Sequence, residues 1–493
     1  MSVTLKKRIT IDPITRLEGH GKIEIFLNDE GDVENTYLQI PELRGFEKFC
    51  VGRPVEEIPR IVTRICGVCP ASHHMAAAKA VDAVYHVDIP HTAKKLREMY
   101  YLAHFIHSHH AHFYALAAPD LLVGPDGDPA KRNVLGIIEK VGVEIGKQVL
   151  MFRRLAQEAQ GIIGGRFTHL VWCIPGGVSK HLTKEDVEEL RVRGKKFLEL
   201  TAFTIKVFND MVLGNPALVD LILKGPYVLK SHQMGLVDEN NKVNFYDGMV
   251  RVVDVEGQEI CKYEAKDYKS HVAEHVEPWS YLKFPYLKAK GWKGFVEGMD
   301  SGVYCATPLS RLNVSDGMTT PRAQEEYERM FSILGGKPCH YLMANHWARL
   351  VEMMYSAEKF MEYVEDPDIT DDNVHKVPSE TPTEGVGIVE AMRGTLTHNY
   401  KTDENGIVTE ANLIVGTTNN NATINIAIRK AAESVIERGK EVTEGILNRI
   451  EMAFRTFDPC FSCATHSLPG KMPMIVNIYD SKKTLIQTLR RDS

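Results

Sequence analysis

Two Cys-x-x-Cys pairs lie near opposite ends of this 493-residue chain. The first pair is Cys66 and Cys69, and the second is Cys460 and Cys463. Each pair holds two sulfurs close together, and four thiolates form a soft site suited to a transition metal. The two pairs can meet only if the whole fold joins the ends of the chain. This spacing therefore favours one intertwined domain organised around the site.

Composition excludes several classes of protein. Hydrophobic residues make up 44% of the chain and charged residues 25%, which is typical of a globular protein. A net charge of −6 gives no general attraction to nucleic acid. We find no apolar run long enough to span a bilayer and no signal-peptide pattern at the N-terminus. The nine cysteines are thinly spread, as in a reducing compartment, so we predict a cytoplasmic protein.

Helical patterns dominate the sequence, with small β elements towards both ends. A first hairpin is predicted from residues 21–26 and 33–40, turned by Asn28–Gly31, after a short strand at 9–11. A second is predicted from 386–392 and 406–415, turned by Asp403–Gly406. Residues 250–257 are typical of a ribbon. Helices are predicted near 92–117, 130–163, 183–212, 321–335, 342–364, 421–438 and 441–455. The predicted class is mainly α with small β elements (α+β): a central helical bundle with N- and C-terminal β hairpins.

Three simple interpretations of the cysteine pairs compete: a structural zinc site, a thiol–disulfide couple, and coincidence. Structural zinc sites are usual in small modules that need the metal to fold, and a chain of this size has core enough without one. The surroundings of the pairs also argue against coincidence. They include Arg64, Gly67 and His73 around the first pair, and Asp458, Pro459 and His466 around the second.

With these residues the sequence resembles the large, catalytic subunit of nickel–iron hydrogenases. The segment Arg64–His73 matches the family pattern Arg-x-Cys-Gly-x-Cys-x-x-x-His, and Asp458–His466 matches Asp-Pro-Cys-x-x-Cys-x-x-His. Further similar segments are Thr15–His20, Arg44–Glu47, His112–Tyr114, Pro175–Val178 and Glu390–Gly394. The resemblance covers essentially the whole chain. It implies the fold of that subunit and reversible heterolytic oxidation of H₂.

The resemblance also implies a metal centre and its ligands. Cys66 and Cys460 would be terminal ligands of nickel, whereas Cys69 and Cys463 would bridge nickel to iron. The iron would carry carbon monoxide and cyanide, as a Ni-Fe(CN)₂(CO) centre. Thiolates suit a redox-active late metal, and a catalytic centre must keep one coordination position open.

Catalytic residues around this centre follow from the same resemblance. The base that receives the proton of H₂ is either the thiolate of Cys460 or the guanidine of Arg393. Because a guanidinium is ordinarily always charged, we assign Arg393 a positioning and electrostatic role first. Glu18 would carry the proton away, since a buried carboxyl can relay protons near neutral pH. Without the family context, Glu18 would be interpreted as an exposed glutamate at a strand end.

Four more residues match polar positions of the family site. His73 would hydrogen-bond a bridging sulfur. Asp120 and Asp458 would pair with the active-site arginine, and Thr417 would hydrogen-bond a cyanide. The chain departs from the common pattern at two places. Met392 replaces a proline before the arginine, and Gly416–Asn419 replaces Pro-Ser/Thr-Thr-Trp. The second departure resembles the cytoplasmic, multisubunit branch, linked to NAD(P), a deazaflavin or a heterodisulfide.

A second metal and a removable tail are also implied. Glu47, His466 and the backbone carbonyl of Leu413 match ligands of a magnesium (or Fe²⁺) ion, and oxygen ligands suit such a hard cation. Otherwise Glu47 is a surface partner for Arg44. Residues 467–493 resemble an extension that a maturation endopeptidase removes after nickel-insertion proteins have acted, leaving a domain of residues 1–466. Apolar segments at 474–478 and 484–489 also allow a retained strand or hairpin.

Five histidines in the segment His104–His112 could suggest another metal site, but packing and hydrogen bonding are the better prediction. The four paired thiolates are all used by the centre, so electrons need a partner. We expect an iron–sulfur small subunit, with further flavin or iron–sulfur subunits. The alternatives are an H₂-sensing protein, a non-catalytic relative of the quinone-site subunit of respiratory complex I, and a structural zinc protein.

Overall fold

A computed structural model describes residues 8–465, 474–479 and 485–491. Helices account for most of its regular structure, and the four longest have 21 to 25 residues. The α-helices are α1 (Phe46–Cys50), α2 (Ile58–Ile61), α3 (Pro70–Val84), α4 (His91–Ala111), α5 (Val134–Val141), α6 (Val143–Gly164), α7 (Lys184–Phe208), α8 (Pro216–Lys224), α9 (Tyr268–His271), α10 (Pro308–Val314), α11 (Pro321–Leu334), α12 (Ala344–Glu365), α13 (Gly416–Asn419), α14 (Asn421–Val435), α15 (Glu444–Arg455) and α16 (Phe461–Ala464). Short 3₁₀ turns occupy Val55–Glu57, Val62–Ile65, Ala265–Asp267 and Pro367–Thr370, and π-helical turns occupy His112–Ala117, Pro119–Val123 and Asn209–Leu213.

The strands form small separate sheets around this helical framework. They are β1 (Arg8–Ile11), β2 (Lys22–Leu27), β3 (Val33–Gln39), β4 (Cys173–Ile174), β5 (Gly177–Val178), β6 (His232–Val237), β7 (Met249–Val253), β8 (Glu259–Tyr263), β9 (Val272–Val276), β10 (Lys283–Leu287), β11 (Tyr304–Cys305), β12 (Glu384–Ala391), β13 (Gly394–Thr402), β14 (Val408–Ile414), β15 (Met474–Tyr479) and β16 (Leu485–Arg491). The sheet orders are β1-β2-β3, β4-β5, β11-β6-β7-β8, β9-β10, β12-β13-β14 and β15-β16.

The predicted class is confirmed, and most predicted helices are found. Local sequence explains several helix ends. Thr183 accepts a hydrogen bond from the backbone of Asp186 while the Asp186 side chain accepts one from Thr183, so α7 begins with a capping box. The tail segments 474–479 and 485–491 pair as an antiparallel hairpin, in agreement with the alternative raised for them.

The two terminal β elements are larger than the predicted hairpins. At the N-terminus, β1 joins β2 and β3 in a three-stranded antiparallel sheet. At the C-terminus, the predicted pairing of 386–392 with 406–415 is wrong. The strand β13 lies between β12 and β14 and pairs with both. The turn at Asp403–Gly406 therefore joins β13 to β14. The stretch of β13 was missed because most of its residues are polar or glycine, although it is buried along nearly all its length.

The main hydrophobic core connects the two ends of the chain. One cluster of buried side chains extends from Ile11 in β1 to Ala464 in α16 and takes residues from α3, α4 and α12. Helix α3 packs on β12 and β13, while α12 packs on α4 and α7. In the part of the chain that the structure describes, no helix is both long and apolar enough to cross a membrane.

Candidate metal centre

The first cysteine pair lies between a 3₁₀ turn and the start of α3. Cys66 has an extended backbone, and Pro70 then begins α3 one residue after Cys69. Within the loop, the backbone N–H groups of Val68 and Cys69 donate to the Sγ of Cys66 at 3.2 and 3.3 Å. The loop thus directs the partial positive charge of two N–H groups at the sulfur of Cys66, which favours the thiolate form of that cysteine.

The second pair is held against the N-terminal segment of the chain. Glu18 and Cys460 form an isolated parallel β-bridge, and the N–H of Phe461 donates to the carbonyl of Glu18 at 3.0 Å. Gly19 allows this contact, because its φ is +87° and a Cβ there would lie 3.1 Å from the backbone nitrogen of Ser462. Residues 442 positions apart in sequence are therefore fixed side by side.

All four sulfurs converge in one buried site. Their Sγ atoms lie within 4.8 Å of one another, with 3.4 Å between Cys66 and Cys460 and 3.2 Å between Cys69 and Cys463. Each of the four cysteines is at most 4% exposed. Hydrogen bonds from the neighbouring thiols hold the pKa of Cys66 well below its usual range, whereas burial raises the pKa of Cys460 and Cys463 well above theirs. Four thiolates that lie this close together and are shielded from water need metal cations to neutralise their negative charge.

Glu18 contacts the site directly. The Sγ of Cys460 donates to the Oε2 of Glu18 at 2.9 Å, and the N–H of Ser462 donates to the same oxygen at 3.2 Å. The sequence-based alternative, an exposed glutamate at a strand end, is wrong, because Glu18 is partly buried against the thiol. This thiol–carboxyl contact can pass a proton without an intervening group.

Arg393 lies in the two-residue turn between β12 and β13. Its Nε donates to the carbonyl of Asp458 at 2.7 Å, and its Nη2 lies 3.0 Å from the carboxylate of Asp458. The buried Nη1 has no hydrogen-bond partner among the described residues. Burial favours loss of the charge, but Asp458 and the thiols outweigh it and hold the pKa of Arg393 well above its ordinary value. Arg393 is thus a fixed cation beside the four sulfurs.

Asp120 does not have the predicted partner. Among the described contacts its carboxylate pairs with Arg16 at 2.5 Å and with Arg455 at 3.0 Å, so the expectation that it pairs with Arg393 is wrong. The π-helical turn at Pro119–Val123 carries Asp120, and it directs the side chain to the N-terminal loop and to α15. Asp120 therefore links the two ends of the chain, and Asp458 alone of the two predicted carboxylates pairs with Arg393.

Two other predicted residues lie close to the cysteine pairs, one in space and one in sequence. Thr417, in α13, accepts a hydrogen bond at its Oγ1 from the N–H of Cys460 at 3.1 Å. His73, in the first turn of α3, has its Nδ1 3.2 Å from the Nε2 of His398 in β13. Both residues are almost fully buried.

The residues predicted for a second metal are only partly within the described chain. The Oε1 of Glu47 accepts a hydrogen bond from the N–H of Leu413 at 2.8 Å, so these two residues do meet. Lys283 lies 3.9 Å from the other oxygen of Glu47. His466 lies outside the described residues. Among described residues, the group of metal-ligating side chains that stands out is the set of four cysteines.

The histidine-rich helix packs and hydrogen-bonds as predicted. His109 contacts Glu352 at 2.7 Å, His110 contacts the carbonyl of Val149 at 2.9 Å, and His112 contacts the carbonyl of Arg455 at 3.2 Å. His104 pairs with Gln160, and His107 accepts from Arg153. Burial lowers the pKa of all five imidazoles.

Sequence reasoning missed the buried residues that support the site from other elements. His398 and Tyr400 of β13 extend the contact made by His73, with 2.6 Å between the Nδ1 of His398 and the hydroxyl of Tyr400. Their spacing of two residues on a strand places them on one face, a signal that would have been readable had β13 been recognised.

Comparison with known proteins agrees with the metal centre that the geometry indicates. A family model described as nickel-dependent hydrogenase matches residues 44–123 and 216–466, and a model described as HoxL-like matches residues 8–43. An iron-sulfur subunit of the F420-non-reducing hydrogenase from Archaeoglobus profundus is 49% identical over 98% of this chain and 99% of its own. The NAD-reducing hydrogenase HoxS subunit beta of Cupriavidus necator is 37% identical over 99% of this chain and 100% of its own.

A solved structure extends the likeness to three dimensions. A chain of an NAD⁺-reducing [NiFe]-hydrogenase in the H₂-reduced state superposes with a TM-score of 0.87 at 38% identity, covering 93% of this chain and 99% of the other. Fold and site define an oxidoreductase built around a thiolate-bound metal centre. The chain belongs to the nickel-dependent hydrogenase family, and it is an enzyme that acts on H₂. The four buried thiols fit the nickel–iron site of that family.

Proposed function

We propose that this chain is the catalytic subunit of a [NiFe] hydrogenase that interconverts H₂ with two protons and two electrons. The convergence of four buried thiols from the two ends of the chain carries this conclusion. Cys66 and Cys460 would hold nickel alone, and Cys69 and Cys463 would be shared with an iron bearing one carbonyl and two cyanides. When bound, such a centre supplies a Lewis acid and a redox site for heterolytic splitting of H₂.

The proton would leave through Cys460 and Glu18. The thiol of Cys460 already donates to Glu18 at 2.9 Å, so transfer between them needs no movement of either backbone. The N–H of Ser462 holds the receiving oxygen in place at 3.2 Å. Glu18 is partly exposed, so its carboxyl can in turn exchange the proton with groups nearer the surface.

Arg393 and Asp458 would contribute a fixed pair of charges next to the cysteines. Two contacts to Asp458 fix the guanidinium, and its remaining Nη1–H groups are directed to no acceptor among the described residues. A fixed donor of this kind favours negative charge developing next to it. Because the pKa of Arg393 is held high, Cys460 is the better candidate for the base. Thr417 and His73 would contribute hydrogen bonds from two further elements.

Electrons would leave through the loop between the first two cysteines. Gly67 is exposed although Cys66 and Cys69 on either side of it are buried, so this loop brings the site close to the surface. Exposed Phe49, at 52%, and Leu43, at 40%, lie in the adjoining segment, and Arg44 ties that segment to the loop through the carbonyl of Ile65 at 2.7 Å. Aromatic and arginine side chains are enriched in protein interfaces. We assign this face to an iron–sulfur small subunit.

Further partners are proposed from the relatives. Those that match along nearly their whole length are named as F420-non-reducing and NAD-reducing hydrogenases. Flavin or additional iron–sulfur subunits would then pass electrons from the small subunit to a soluble carrier. A cytoplasmic location agrees with the scattered, unpaired cysteines of the described chain.

A magnesium (or Fe²⁺) ion is proposed near Glu47, the carbonyl of Leu413 and His466. The contact of Glu47 with the backbone of Leu413 supports it. Nickel-insertion proteins and a maturation endopeptidase would complete the subunit by removing residues 467–493, which leaves one domain of residues 1–466. A single buried core that includes both β1 and α16 supports this division.

The deciding experiment combines Cys463→Ser with metal analysis of the purified enzyme. We expect nickel and iron in equal amounts in the wild type, H₂-dependent reduction of a viologen dye, and loss of both metals and activity in Cys463→Ser. Cys261→Ser is the matched control, because Cys261 is a partly exposed cysteine outside the cluster. Zinc alone in the wild type would refute the proposal. Bound nickel and iron without dye reduction would favour an H₂ sensor.

A further inference from the structure

A buried row of three side chains connects β13 to the first turn of α3. The hydroxyl of Tyr400 lies 2.6 Å from the Nδ1 of His398, and the Nε2 of His398 lies 3.2 Å from the Nδ1 of His73. All three residues are 0% exposed. The row ends at His73, four residues after Cys69 and in the electrostatic field of Cys66.

The donors and acceptors available to these three side chains determine in which direction the hydrogen bonds are donated along the row. Among the described residues, His398 is the partner that the Tyr400 hydroxyl contacts. A buried O–H that donates to nothing is unfavourable, so the phenol donates to the Nδ1 of His398. A neutral imidazole carries one N–H, which in His398 is then on Nε2 and donates to the Nδ1 of His73.

The direction determines the state of His73. Since its Nδ1 accepts from His398, its own proton is on Nε2 as long as the ring is neutral. A ring that accepts a hydrogen bond at Nδ1 has its lone pair there, so His73 is the neutral imidazole in this arrangement. In the opposite direction the phenol would be left without an acceptor, and His73 would carry its lone pair on Nε2 in the field of the thiolates.

We propose that His398 and Tyr400 are positioning residues that hold His73 as its Nε2–H tautomer, so that the ring offers the metal-binding thiolates a donor and not a lone pair. This inference rests on the proposed function, because it assigns the row to a thiolate-bound metal centre. Partners of this kind that orient a neighbouring group tune the electron density of a metal centre. Tyr400 would thus influence the centre without touching a ligand.

The test is Tyr400→Phe in the intact enzyme, with infrared spectroscopy of the iron carbonyl as the readout. The substitution removes the hydroxyl and keeps the ring. We expect unchanged nickel and iron contents, a carbonyl stretching band shifted to lower frequency because the thiolates become more electron-rich, and a lower reduction potential. His398→Gln should shift the band in the same direction, and it serves if Tyr400→Phe does not fold.

The matched control is Tyr227→Phe. Tyr227 is 1% exposed, and its hydroxyl donates to the carbonyl of Arg449 in α15 at 2.9 Å. The variant Tyr227→Phe also loses one tyrosine hydrogen bond, and its iron-carbonyl stretching band should stay at the wild-type frequency. A band in Tyr400→Phe and His398→Gln identical to that of the wild type would overturn the inference alone. A wild type with no carbonyl band would overturn both the inference and the proposed function.

Discussion

At the scale of single residues, Glu18 has two roles at one position. Its backbone forms the bridge to Cys460, and its side chain accepts the hydrogen bond of the Cys460 thiol. The backbone contact fixes the side-chain contact, because both belong to the same pair of residues. A substitution that changes only the carboxyl can therefore separate proton transfer from assembly of the site.

We predict that Glu18→Gln retains nickel and iron but loses H/D exchange activity by about 10²-fold or more, the usual contribution of a positioned acid or base. The amide keeps an acceptor for Ser462 but cannot take up a proton. Isotope exchange followed by mass spectrometry measures the effect. Glu42→Gln is the control, since Glu42 pairs with the exposed His20. Exchange at the wild-type rate in Glu18→Gln would exclude this residue from the proton route.

The sequence was a good guide to such residues where a motif surrounds them. Glu18, Arg393 and Thr417 all contact the segment Asp458–Cys460, and the roles assigned to them stay predictions. Asp120 was assigned the wrong partner, because a local π-helical turn sets the direction of its side chain and no sequence pattern announces that turn. Tyr400 was missed because its role depends on the packing of β13 against α3, which are distant in sequence.

At the scale of elements, the turn between β12 and β13 decides where Arg393 lies. Gly394 follows the arginine with a φ of +146°, and a Cβ there would lie 2.3 Å from the carbonyl of Ala306 and 2.6 Å from that of Gly416. Only glycine fits this position without movement of the backbone. The turn is thus held between two other segments, and Arg393 is held with it.

We predict that Gly394→Ala destabilises the protein by about 2–5 kcal/mol, from a strained backbone together with overpacking. It should also reduce activity, because the arginine moves with the turn. Denaturant unfolding and dye reduction measure the two effects. Gly439→Ala is the control, since Gly439 shares a positive φ of 73° but has open space around it. Equal losses in the two variants would mean that close packing at Gly394 is unimportant.

Strand β12 is joined to the helices α10 and α12 by buried charged side chains. Arg311 of α10 contacts Glu352 of α12 at 2.6 Å and Glu390 of β12 at 2.9 Å, and all three side chains are 0% exposed. Removing one member of such a group leaves unpaired charge in the core. We therefore expect the group to be sensitive to substitution because it is buried.

We predict that Arg311→Met lowers the free energy of unfolding by about 3–5 kcal/mol, because two carboxylates lose their buried partner. Lys206→Met, which breaks the exposed pair with Asp210, should change it by less than about 1 kcal/mol. Chemical denaturation of both variants provides the comparison. A small loss in Arg311→Met would show that the carboxylates are compensated by another group.

Element prediction failed for segments that are buried on all sides. Helix α3 has 13 buried residues among its 15, so it shows no polar face from which a helical period could be recognised. Strand β13 is buried on both faces although most of its residues are polar or glycine, so it did not stand out as a core strand. The amphipathic helix α11, with a regular polar face, was predicted within a residue of its observed ends.

At the scale of the whole molecule, the N-terminal segment and the last helices form one unit. Thr15 donates to Glu451 of α15 at 2.6 Å, and Asp120 joins Arg16 to Arg455. The carbonyl of Thr465 accepts from the N–H of Arg44 at 2.9 Å. The N-terminal and C-terminal segments are thus joined by several polar contacts in addition to the meeting of the four thiols.

We predict that the active enzyme ends at His466, while protein made without nickel keeps residues 467–493. The reason is that removal of the tail would follow metal insertion. Intact-mass spectrometry of both preparations tests this, with nickel content measured on the same samples. A full-length mass in the nickel-loaded, active enzyme would show that the hairpin of β15 and β16 is a permanent part of the protein.

The separation of 394 residues between Cys66 and Cys460 also imposes a delay between the synthesis of the two cysteine pairs. A ribosome that adds roughly 5–20 residues per second needs on the order of 20–80 seconds to reach the second pair after the first has emerged. During that interval two reactive thiols are present without their counterparts. Assembly of the four-thiolate site must therefore wait until the second pair has been synthesised.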